Sequence, residues 1–77
     1  NPFNPSTTIY YNVPITGYVQ MNIYNISGQL VETLVEENIM PGYHQVFWNA
    51  QSQASGVYFV RMVSDGFVET QKLILMK

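Results

Sequence analysis

Cysteine is absent from this chain, so no disulfide staples it and no thiolate is available to hold zinc. Charge is scarce too: 10% of the residues are charged, and the three cations, Arg61, Lys72 and Lys77, are too few and too far apart to follow a phosphate backbone. Nucleic acid is therefore not an expected partner. His44 is the only histidine and Asp65 the only aspartate, while Glu32, Glu36, Glu37 and Glu69 lack the spacing of an acid/base pair or of a calcium loop. The expectation is a protein that is not an enzyme and carries no cofactor or metal. No stretch approaches the roughly 20 apolar residues that span a bilayer, and the front lacks the basic-then-apolar pattern of a signal peptide. The chain starts at Asn1 rather than a methionine, which points to a processed product or a piece of something longer.

Apolar and aromatic residues are plentiful, at 47% and 14% of 77 residues, enough for one small core. Their period is two. Ile9, Tyr11 and Val13 alternate with Tyr10 and Asn12, and Val19, Met21 and Ile23 alternate with Gln20, Asn22 and Tyr24. Val46 and Trp48, then Tyr58, Val60 and Met62, repeat the pattern, which makes Trp48 the expected plug of the core. Leu30 to Glu36 keeps poorer time and reads as an edge strand or one with a bulge.

Turn residues separate the runs at Pro14 to Gly17, Ser27-Gly28, Pro41-Gly42, Ser55-Gly56 and Asp65-Gly66. Asp65-Gly66 is the strongest of them, a two-residue hairpin turn joining Val57 to Ser64 with the strand from Phe67 onward. The sequon Asn25-Ile26-Ser27 reads as turn chemistry rather than a sugar site, and His44 as a half-exposed strand residue. The reading is an all-β chain forming a small antiparallel β-sandwich of roughly seven strands. Residues 1–6, with two prolines, form an irregular lead-in or linker, and residues 7–77 form the sandwich.

The final run, Lys72-Leu73-Ile74-Leu75-Met76-Lys77, is apolar on both faces of a strand and fenced by lysines. Such a strand must be covered on both sides or must offer one to something else. Tyr10, Tyr24, Phe47 and Phe59 fall outside the core-facing set, as cross-strand partners or as a platform for stacking sugars.

Four blocks together carry a family resemblance: Asn1-Pro2-Phe3-Asn4-Pro5-Ser6-Thr7-Thr8-Ile9, the stretch Ile23 to Val31, the stretch Pro41 to Asn49, and Ser55 to Arg61 followed by Gln71 to Lys77. In order and spacing they resemble the type A C-terminal sorting domain of the bacterial type IX secretion system, over essentially the whole chain. The immunoglobulin-like domain of flagellar hook-cap proteins is similar in its strand-and-turn blocks but lacks as good a match for the lead-in and the terminal lysine.

The resemblance implies an immunoglobulin-like sandwich that serves as an export address behind a passenger protein. Its implied partners are an outer-membrane secretion translocon and a sortase-like cysteine protease that removes the domain at or before Asn1. Its implied location is secreted or at the cell surface, reached through the periplasm and outer membrane. The recurrent glycine-x-tyrosine of that family falls on Gly56 and Tyr58, and its lysine-bounded terminal strand on Lys72, Leu73, Ile74, Leu75, Met76 and Lys77. These are the candidate recognition residues, and removing Lys72 to Lys77 is expected to abolish export. For Gly56 and Tyr58 a purely structural role, in a turn and in the core, is the stronger expectation. Two rival readings are a subunit that self-associates through strand edges into a filament or cap, and a carbohydrate-binding or adhesive module.

Overall fold

In a computed structural model, which describes Pro2, Phe3 and residues 5–77, the period-two runs become seven strands. They are β1 (Pro2–Phe3), β2 (Ser6–Val13), β3 (Gly17–Asn25), β4 (Leu30–Ile39), β5 (Gly42–Asn49), β6 (Gly56–Ser64) and β7 (Phe67–Leu75). Five of them form one sheet in the order β1-β7-β6-β3-β4, and β2 pairs with β5 in a second. Every pairing is antiparallel except that of β1 with β7. This is the expected all-β sandwich.

The inner faces carry the residues that the alternation singled out. Ile9, Tyr11 and Val13 of β2 face Val19, Met21 and Ile23 of β3 and Tyr58, Val60 and Met62 of β6, all buried. Trp48 of β5 is wholly buried, with its ring edge-on to Tyr58 at 5.4 Å between centroids. Its indole N–H donates to the Glu32 carboxylate at 3.1 Å, so the one polar atom of the plug is satisfied from the edge strand β4.

The turns set the register. Ser64 lies opposite Phe67 across Asp65-Gly66, and of these two residues only Gly66 takes a positive φ, +85°, which glycine adopts without steric cost. The whole of β6 and β7 zips from that point. β4 is an edge strand, and its pairing with β3 slips at Met21/Asn22 and again at Ile23/Tyr24, which is why its apolar residues lose their beat. At the β3–β4 turn, the Asn25 side-chain oxygen accepts from the N–H groups of Ser27 and Gln29, both at 3.0 Å, so this amide holds the turn.

The lead-in departs from expectation. Pro2 and Phe3 form a short parallel strand against Ile74 and Leu75, and Ser6 already belongs to β2. Two residues have no readable period, and a parallel bridge to the far end of the chain leaves no local mark. Asn1 and Asn4 lie outside the described residues.

Trp48→Ala is expected to cost about 3–5 kcal/mol, against a total stability of about 4–12 kcal/mol for a domain of this size. Urea unfolding followed by circular dichroism should show the midpoint collapsing for Trp48→Ala and falling much less for Trp48→Phe.

Candidate functional site

The candidate residues converge at one end of the sandwich. The hairpin ladder sets Gly56 opposite Leu75, Val57 opposite Ile74, Tyr58 opposite Leu73 and Phe59 opposite Lys72. Leu73 and Leu75 are buried in the core, Ile74 is half-buried on the outer face beside Val57, and Lys72, Met76 and Lys77 are exposed. Phe59 in turn lies beside Tyr24 of β3, so a half-buried apolar strip runs across the outer face next to Lys72.

The terminus is tied down. The Lys77 backbone N–H donates to Ser55 Oγ at 3.1 Å, and its ammonium donates to the carbonyl of Gln51. The same connection, residues 50–55, is fixed from two other directions. The Ala50 N–H donates to the Pro5 carbonyl at 2.8 Å, and the Tyr58 hydroxyl donates to the Ala54 carbonyl at 2.6 Å. Gln51 and Ser55 escaped sequence reasoning, because nothing in a polar loop announces a partner 22 or 26 residues away.

The two-sided apolar pattern of the last strand resolves into an inner face that is core and an outer face that shows Ile74. Its edges are also partly occupied. β6 covers one, and β1 covers the other at Ile74 and Leu75, so a partner adding a strand there must displace β1. Among the described residues, the unpaired stretch of that edge runs from Phe67 to Leu73. Tyr58 faces inward with its hydroxyl already bonded. Gly56 has φ +152° and open space where a side chain would stand, so what it supplies is a backbone conformation.

The sandwich that carries this strand matches, over nearly its whole length, a family of proteins. The family model described as secretion system C-terminal sorting domain covers residues 1–76. The chain belongs to that family. No curated protein and no solved structure matches it. As a sorting domain of the type IX secretion system, it directs an upstream passenger across the outer membrane, to the cell surface or beyond, and interacts with that machinery.

The titratable groups of the sorting domain serve its packing. The His44 ring stacks on Tyr11 at 5.5 Å, and its Nε2 lies 2.7 Å from the Met40 carbonyl, so the imidazole braces the link between β4 and β5. Burial pushes the Tyr11 hydroxyl above its ordinary value of 10.0, and the Glu37 carboxylate pushes it further. Among the described residues, no three His, Asp or Glu side chains gather as metal ligands would.

Because the folded state holds the Tyr11 proton more tightly than the unfolded chain, its contribution to stability is fully present below about pH 10 and is lost as pH rises through the folded value. Denaturation measured from pH 9 to 12 should show the alkaline loss flattened in Tyr11→Phe, with no difference in slope near neutrality.

Proposed function

We propose that the outer-membrane translocon grips the sorting domain at the end built from the start of β6, the end of β7 and residues 50–55. Lys72, Ile74, Met76 and Lys77 are the residues read from outside, while Gly56, Tyr58, Leu73 and Leu75 hold them in position. The observation that carries this reading is the arrangement of the last five residues. Leu73 and Leu75 are anchored in the core and Lys77 is bonded to Ser55 and Gln51, yet Met76 between these anchors is 56% exposed. A large apolar side chain held out to solvent beside cations is ready for a partner without further ordering cost. In this reading the domain performs no chemistry of its own, and a sortase-like protease cuts ahead of β1 to release the passenger.

Deleting Lys72 to Lys77 tests this poorly, since it also strips Leu73 and Leu75 from the core. Point changes separate the two roles. Leu75→Asp should unfold the domain and stop export together. The pair Lys72→Glu and Met76→Asp should leave circular dichroism and the melting temperature unchanged, yet cut surface delivery of the passenger about tenfold. Normal delivery by that folded pair would remove the proposed gripping surface.

A second reading rests on the other sheet. On the outer face of β2–β5, Tyr10, Tyr43 and Phe47 are exposed, with Tyr10 diagonal to both of the others and the amides of Asn12, Gln45 and Asn49 among them. Aromatic faces interleaved with neutral amides suit a sugar surface, and the sorting domain would then also adhere. Tyr24 is not part of this face, being half-buried on the larger sheet. Retention on immobilised polysaccharide that disappears in Tyr10→Ser with Phe47→Ser supports this reading, and absence of retention in the unaltered domain ends it.

A further inference from the structure

Where β4 turns into β5 the two sheets come together, but on the opposite side they do not. There the edge of β2 and the outer edge of β7 flank a cleft of about 310 Å³. Its floor is the core itself, with Tyr11, Met21, Val60 and Met62, and its rims are Tyr10 on one side and Glu69 to Gln71 on the other. Glu69 and Gln71 share the inward parity of Leu73 and Leu75, yet both are exposed because no described residue closes the cleft above them. A sheet edge with polar residues at its inward positions is guarded against random strand addition and leaves room for a specific one.

Along that edge, alternate residues of Phe67 to Leu73 direct their backbone N–H and C=O away from β6, and among the described residues no strand receives them. β1 begins where this open stretch ends. Pro2 lies opposite Ile74, Phe3 lies opposite Leu75, and the two strands run in the same direction. The direction matters: a continuation of β1 in the register of Pro2 and Phe3 would run toward Lys72, then Gln71 and onward to Phe67.

We propose that, in the full-length protein, the chain ahead of β1 continues it as a parallel strand along Phe67 to Lys72 and roofs the cleft. At roughly 3.3 Å per residue, about six residues cover this stretch. Their outward-facing edge is carried toward the free edge of β2, and their inward side chains lie over Tyr11 and Met62. Continuity with the β1–β7 pairing selects this occupant over a second copy or a foreign peptide, because Pro2 and Phe3 already fix its direction and register along β7. The inference rests on the chain being a sorting domain behind a passenger, but not on where the translocon grips it.

The test uses the full-length purified protein and needs no export. The domain has no cysteine, so one can be placed at exposed Thr70 and one at the register-matched position, four residues ahead of Pro2. Directly opposed residues on parallel strands lie within disulfide reach, about 5 Å between Cα atoms. Mild oxidation should link these two positions within one molecule, as identified by peptide mapping. Moving the upstream cysteine one residue should weaken the link. Amide exchange in the unaltered protein should show alternate amides of Phe67 to Lys72 slowed about tenfold or more relative to protein cleaved ahead of β1. A link between two molecules would assign the edge to a second copy. No link, with the same exchange before and after cleavage, would leave the edge to water; either result overturns the inference.

Discussion

The ladder between β6 and β7 is the contact on which the rest of this molecule depends. It starts at the tight Asp65-Gly66 turn, where neither residue needs help from tertiary structure, and ends where Gly56 meets Leu75. Through it β7 becomes a wall of the core, supplying Leu73 and Leu75 to the cluster that holds Trp48 and Tyr58. The same ladder places Ile74 and Lys72 on the opposite face, beside Val57 and Phe59. Strand geometry cannot give one without the other, because successive side chains must point to opposite faces. A strand that is core on one face and displayed on the other is therefore the natural product of a period of two.

The architecture was legible in the sequence wherever a local rule decided it. Trp48 shares parity with Val46, and parity alone places it inside. Asp65-Gly66 names its own turn, and the faltering rhythm of Leu30 to Glu36 marks an edge strand with slipped register. What was not legible was set by partners distant in the chain. Pro2 and Phe3 carry no period, and their pairing with Ile74 and Leu75 depends on the completed fold. The bonds from Lys77 to Gln51 and Ser55 lie in a polar loop that looks like any other. The gap between β2 and β7 was equally hidden, since Glu69 and Gln71 look like ordinary outward residues of an alternating strand until their inward parity is seen.

The candidate recognition residues divide along the same line. Sequence reasoning gathered Gly56, Tyr58 and Lys72 to Lys77 by resemblance, and the hairpin register brings them to one end of the sandwich by setting Gly56 opposite Leu75 and Tyr58 opposite Leu73. Their exposures then separate them. Tyr58, Leu73 and Leu75 are inside, and Lys72, Met76 and Lys77 are outside. Residue type alone could not have sorted them, because Leu75 and Met76 are chemically alike and differ only in which way the strand turns them.

Burial of Leu73 and Leu75 makes β7 a wall that the core cannot do without. A chain clipped ahead of Leu73 would lose that wall and, with it, the fold that holds Lys72 out on the opposite face.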